Sequence, residues 1–516
     1  MLDFKIAGGQ VLDGTGSPAV RADVGVERGR IAAVGDLARA EARQAVDAAG
    51  CLVLPGFIDA HSHSDARLLV EPSAPSKLFQ GVTTEVVGNC GASAAPLRPG
   101  VPLPSDWRDL PFPGSWDSTA SYCRLLRSVR PGPNVVVLAG HGKLRACVMG
   151  YAARPASAGE RQAMERLFEQ CLDEGARGFS TGLIYAPGLF AEPEEILGLA
   201  RVAAARGAIY TTHMRSEGAG LLEAIDEALD VARRTGVRLQ ISHLKTSGRA
   251  NWHKVGPALE AIRCARAAGA EAAADRYPYT ASCTDLDVVL PAWAQEGGAG
   301  AVLRRLRDPK DRARLARELA HGRLAADWGA IRIGFSSEPA WRGRLLDEIA
   351  GSMEVDRVEA ALRIMDRDAL RTGAFFFGMD EGNLGRILAE PYVMIGSDAS
   401  LQAPEGPLAG SYPHPRAYGT FPRFLRAALE GKTVALPDAV RKMTSLPADQ
   451  FRLAGRGRIA AGAWADLGVW DPGAVADPAD YDAPHRLARG LKALLVNGVL
   501  TLAENGLTGR RAGCLL

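Results

Sequence analysis

Through its middle, this 516-residue chain alternates short β-rich runs with helical patterns, and few folds accept that alternation eight times over. The runs are Val53 to His63, Val82 to Cys90, Asn134 to Gly140, Gly178 to Gly182, Ile209 to His213, Arg238 to His243, Glu271 to Tyr277 and Val393 to Asp398. Segments such as Glu160 to Glu174, Pro193 to Arg206 and Gly220 to Thr235 fall between them. Their apolar residues recur three and four apart, the spacing of a helix with one buried face. The alternation predicts an α/β protein built on a TIM-like (β/α)8 barrel. Residues 278–392 are far more than one connecting helix needs between the seventh and eighth runs, so an inserted subdomain or lid is expected at about 285–370.

The two ends of the chain read differently. Phe4 to Gly9, Ala22 to Glu27 and Arg30 to Gly35 are short strands with tight turns, and the style resumes in Ala465 to Trp470 and Ala493 to Gly498. Residues 1–55 and 451–516 are therefore expected to build one small β-sandwich, into which the 56–450 barrel is inserted. A net charge of +2 with no basic block argues against a nucleic-acid surface. The start lacks the layout of a secretory signal, and no stretch reaches about 18 uncharged apolar residues. A cytoplasmic protein without a membrane segment is expected. The eight cysteines show no paired spacing, which suits a reducing compartment, and most are expected to be small buried hydrophobes. Nothing in the pattern specifies an oligomer.

Ligand-type side chains end most of the runs. His61 and His63 close the first in Gly56-Phe57-Ile58-Asp59-Ala60-His61-Ser62-His63, and their spacing places both on one face of a strand. Cys90 ends the second, His213 the fifth, His243 the sixth and Asp398 the eighth. Singly, each is as well explained by the core: a lone cysteine after a strand is usually packing, and a lone histidine is ambiguous. Together, six such residues at the C-terminal rim of one barrel, where these folds carry their chemistry, predict a metal centre. Imidazole and thiolate donors favour zinc over magnesium or calcium.

These motifs, with Gly88-Asn89-Cys90-Gly91, Gly140-His141-Gly142, Gly178 to Leu183, Thr212-His213-Met214-Arg215, Ser242-His243-Leu244-Lys245, Tyr277-Pro278-Tyr279, His414-Pro415-Arg416 and Tyr418 to Arg423, resemble the amidohydrolase superfamily, and within it the D-aminoacylase (N-acyl-D-amino-acid deacylase) branch. The resemblance spans nearly the whole chain. It implies a tight zinc on Cys90, His213 and His243, the cysteine replacing a carboxylated lysine used by many superfamily relatives. It also implies a second, weaker metal position at His61, His63 and Asp398. The activity implied is hydrolysis of the linear amide of N-acyl-D-amino acids, small-molecule substrates that yield a carboxylate and a free D-amino acid.

Amide hydrolysis needs activated water and a protonated leaving nitrogen. Zinc lowers the pKa of bound water to about 7, and Asp398 is expected to carry the proton. The substrate carboxylate needs a cation, for which Lys245 is placed two residues beyond His243, with a hydroxyl from Tyr277 or, failing that, Tyr279. Ile184, Tyr185, Phe376 and Met379 are expected near the substrate side chain. His141 reads equally well as a turn residue and stays outside the catalytic set. Two departures from the branch touch the pocket: Asp398 is followed by Ala399-Ser400 where glycine is common, and Cys283 stands where a hydroxyl residue is frequent. The alternatives are a cyclic-amide hydrolase of the hydantoinase or dihydroorotase type, whose members generally use a lysine bridge, and a silent scaffold homologue, which loss of ligands would mark.

Overall fold

Eight parallel strands close one barrel. In a computed structural model describing residues 1–322 and 328–516, they are Phe57–Asp59, Val82–Val87, Asn134–Val137 continued by Ala139–Gly140, Gly178–Gly182, Ile209–His213, Arg238–Ile241, Ala272–Arg276 and Val393–Ile395. The third strand is interrupted at Leu138, whose N–H donates to the Val87 carbonyl at 2.9 Å. Its first half pairs with the second strand and its second half with the fourth. The circle closes between the eighth strand and the first, where Ser62 and Ala399 form a parallel bridge and the Asp398 N–H donates to the His61 carbonyl at 2.8 Å.

The run from Val53 to His63 is two strands in two sheets. Leu52–Pro55 pairs with Leu2–Val11 and with Leu467–Trp470, while Phe57–Asp59 belongs to the barrel. Gly56 makes the crossing: a Cβ there would stand 2.2 Å from Thr83 Oγ1, so a side chain would hold the two sheets apart. Strands two, six and eight also end earlier than their runs. Cys90, His243 and Asp398 lie just beyond them at φ of 53°, 36° and 49°, in the left-handed region that non-glycine residues seldom adopt. Such conformations persist where surrounding structure over-determines them, and they cluster at functional sites.

Both ends of the chain meet in one nine-stranded sheet, the N-terminal strands joining the C-terminal ones through the antiparallel pair Leu52–Pro55 and Leu467–Trp470. Phe4, Ile6, Val24, Val53, Leu467, Val469 and Leu495 form one buried cluster within it. The chain between the seventh and eighth barrel strands holds a separate three-stranded antiparallel sheet, Ala281–Asp285, Gly373–Phe377 and Ile331–Ile333, with Gly373–Phe377 in the middle. Its helices include Ala299–Arg307, Pro309–Ala320 and Arg357–Arg367, and its core includes Leu306, Leu315, Ile349 and Leu362. Inside the barrel, Ile58, Val86, Val136, Ile209, Ala273 and Met394 form a dry plug continuous with Ala448, Phe451 and Leu453. The opposite mouth is left to polar groups. Among the described residues no helix is long and apolar enough to cross a membrane.

Candidate metal centre and active site

All six predicted ligands converge on the C-terminal mouth. Cys90, His213 and His243 form one group whose donor atoms lie within 4.8 Å of one another; His61, His63, Cys90 and Asp398 form a second, so Cys90 is common to both. Cys90 Sγ is 3.3 Å from His61 Nε2 and 3.4 Å from His243 Nε2. Asp398 Oδ1 is 3.1 Å from His63 Nε2 and 3.4 Å from His61 Nε2.

These separations suit a tetrahedral ion, since zinc bonds of about 2.3 Å to sulfur and 2.0–2.1 Å to nitrogen put neighbouring donors roughly 3.5 Å apart. His213 supplies a second test. Its ring is buried and neither nitrogen has a hydrogen-bond partner, an arrangement costly for an imidazole unless another ligand takes one nitrogen. The donor set therefore fits zinc.

Charge in the site is organised around the thiol and the two carboxylates. Burial alone would raise the Cys90 thiol, but the imidazoles of His61 and His243 hold it well below its ordinary range, in the thiolate form a metal requires. Burial would also raise Asp398, and the guanidinium of Arg416, with Nη1 2.8 Å from Oδ2, reverses that and keeps the carboxyl well below the usual range. Glu217 is likewise held ionised against burial, chiefly by Lys245.

Lys245 is buried, 2 % exposed; its ammonium pairs with Glu217, and its Nζ lies 2.7 Å from His243 Nδ1. Its charge therefore already has one partner. Tyr277 lies among three cations: Arg276, Arg416 and Lys245 stand 4.0, 4.6 and 6.0 Å from its ring centre, and its buried hydroxyl has no hydrogen-bond partner. Tyr279 also buries a hydroxyl without a partner, beside His414. Tyr185 stacks edge-on with His213 at 5.0 Å and bonds Thr284 of the inserted sheet at 3.0 Å, so it joins the centre to the insertion.

Met379 is half-buried with its sulfur 3.0 Å from Arg276 Nη2, and Phe376 packs onto the core of the inserted sheet. Ile184 is half-buried beside Tyr185. His141 is fully buried and bonds Glu195 at 2.6 Å, with Arg145 on the same carboxylate.

Three residues of the site carry no role assigned from the sequence, although Arg416 stands in the motif His414-Pro415-Arg416. Glu217 stands 2.8 Å from His243 Nδ1, Asp275 stands 3.2 Å from His61 Nδ1, and Arg416 anchors Asp398. A signal existed for Asp275, a charged residue inside the apolar strand Ala272–Arg276, and for Glu217, one helical turn's spacing beyond His213.

Residues 44–502 match the amidohydrolase family. An N-acyl-D-glutamate deacylase of Alcaligenes xylosoxydans xylosoxydans is 42 % identical over 505 residues, covering 96 % of this chain and 93 % of its own. A D-aminoacylase of the same organism is 38 % identical over 516 residues, covering 100 % of this chain and 97 % of its own. Among solved structures, the N-acyl-D-glutamate deacylase of Bordetella bronchiseptica, complexed with zinc and a phosphonate inhibitor that mimics the tetrahedral intermediate, superimposes with a TM-score of 0.85. It is 38 % identical, and the match covers 100 % of this chain and 99 % of that one.

Proposed function

The chain belongs to the amidohydrolase family, and from that premise we propose that it hydrolyses the linear amide of N-acyl-D-amino acids, releasing a carboxylate and a free D-amino acid. The observation that carries the reading is the shared Cys90, which joins a compact thiolate–imidazole trio to the pair His61 and His63 and to Asp398 at one barrel mouth. Cys90, His213 and His243 would hold the tight zinc; His61, His63 and Asp398 would offer a second, weaker position. When bound, zinc supplies Lewis acidity that activates water near neutral pH and polarises the scissile carbonyl.

The chain's own residues account for the remaining work. Asp398, kept ionised by Arg416, is available at neutral pH to take a proton from the attacking water and return it to the departing nitrogen. Arg416 and Lys245 flank Tyr277, and a substrate carboxylate placed between them would give the buried Tyr277 hydroxyl the partner it lacks. Met379 and Tyr185 would line the substrate side chain. Holding the carboxylate at one point and the acyl carbonyl at another leaves the side chain one direction to enter, which is the physical basis for selecting the D configuration. A cyclic-amide reading is less well supported, because it has no use for a carboxylate clamp, and a scaffold reading does not account for a complete ligand set.

The test is a turnover screen of N-acetyl-D-glutamate, N-acetyl-D-aspartate and neutral N-acetyl-D-amino acids beside their L-enantiomers and hydantoins, with bound zinc quantified in parallel. Hydrolysis confined to D-substrates, with at least one zinc per chain, is expected. Brisk turnover of L-enantiomers or of hydantoins overturns the reading.

A further inference from the structure

One carboxylate touches both ligand groups. Asp275, on the seventh strand, is fully buried. Its Oδ1 accepts the backbone N–H of His243 at 2.8 Å and stands 3.2 Å from His61 Nδ1, while its Oδ2 is hydrogen-bonded to His61 Nδ1 at 3.4 Å and accepts Gln240 Nε2 at 2.9 Å. His61 belongs to the group with His63, Cys90 and Asp398, and His243 to the group with Cys90 and His213.

For His61, the contact decides which nitrogen carries the proton. An imidazole binds a metal through Nε2 only when that atom is unprotonated, and a carboxylate at Nδ1 makes Nδ1 the donor. His61 Nε2 is left facing Cys90 and Asp398. For His243, the contact acts on the main chain. The residue sits at φ 36°, and its N–H, bound to Asp275 Oδ1, is one of the bonds that hold it there and aim Nε2 at Cys90.

We propose that Asp275 is the positioning residue of the metal centre, setting the tautomer of His61 and the backbone of His243 and so coupling the two ligand groups. The inference rests on the reading of the cluster as a zinc site. It assigns Asp275 no contact with substrate.

The test titrates the zinc-loaded full-length protein with a chromophoric chelator and records the thiolate charge-transfer band of the cobalt(II)-substituted protein, for wild type, Asp275→Ala and Asp275→Asn. Asparagine keeps the shape: its carbonyl oxygen can take the Oδ1 contacts, and Gln240, whose Oε1 has no partner, can turn to accept from the amide, but that amide cannot accept from His61 Nδ1 as Oδ2 does. Asp275→Ala is expected to lose up to about 100-fold in zinc affinity and to shift the cobalt band. Asp275→Asn is expected to lose about tenfold, with a smaller shift. A purely structural role would lower the melting temperature of both variants and leave the zinc affinity and cobalt band of the folded asparagine variant as in wild type. If Asp275→Ala does not fold, the asparagine variant decides alone, and affinity within twofold of wild type overturns the proposal. If wild type itself binds no zinc, the metal reading falls and this inference with it; wild-type binding with unchanged variants removes only the role of Asp275.

Discussion

The same eight strands build two unlike regions. Within the barrel the strands bury Ile58, Val86, Val136, Ile209, Ala273 and Met394 together with Phe451 and Leu453, an apolar plug. At their C-terminal ends the chain bends through left-handed residues at Cys90, His243 and Asp398 and gathers buried imidazoles, carboxylates and a thiol. The plug is stabilised by leaving water, whereas the mouth holds groups that lose solvation and are tolerable only because each meets another charge or a metal. Stability and chemistry are thus separated along one strand by a few residues. Substitutions at the mouth are expected to remove function at little cost in stability, and those in the plug the reverse.

The largest effect is expected for Cys90→Ala. A methyl group cannot replace a thiolate bond to zinc, so tightly bound metal and turnover should both be lost while far-ultraviolet circular dichroism is unchanged. Stoichiometric zinc with normal activity would dissolve the contrast at its strongest point. Asp398→Asn comes next: with proton transfer removed, kcat should fall about 100- to 10,000-fold while the Cys90 trio retains its zinc. A variant within a few-fold of wild type would mean another base.

Lys245→Ala should lower kcat/KM about tenfold to a hundredfold on N-acyl-D-amino acids, the scale of one charge-assisted hydrogen bond, and much less on substrates whose carboxylate is amidated. Because Lys245 also neutralises Glu217, equal losses on both substrate types would assign it to the support of His243 instead of to substrate.

In the plug the order of readouts reverses. Phe451→Ala should cost about 3–5 kcal/mol of stability, measured by denaturant unfolding, with zinc content and turnover of the folded enzyme close to wild type. Comparable damage to activity would show that plug and mouth are coupled. The smallest effect concerns Lys442, buried near the start of the eighth strand, where desolvation lowers its pKa to about 7. The unfolded chain keeps that lysine protonated to about 10.4, so between the two values the native state binds fewer protons and stability rises with pH. The cost of burying the charge is fully present below about 7. The stability difference between wild type and Lys442→Met should therefore shift in favour of wild type by about 1 kcal/mol per pH unit between 7 and 9, and a difference independent of pH would contradict it.

Much of the barrel is legible in the chain because its signals are short-range. Alternation and helical spacing are properties of windows of about ten residues, and a histidine or cysteine closing a β-rich run announces itself without knowledge of its neighbours. The donor types alone also select zinc-like chemistry. Strand ends were less legible: Gly56 divides one apolar run between two sheets, and that division depends on Thr83 pressing from the next strand.

Closure of the barrel decided the rest. Asp275 is 214 positions from His61 and Arg416 is 18 from Asp398, while Glu217 reaches across from beyond the fifth strand to His243 and Lys245 beyond the sixth. No local pattern assigns such partners. A charge buried with one neighbour is a ligand support and with another a free clamp, and that choice is made only when closing the circle brings these side chains into a space that water has left.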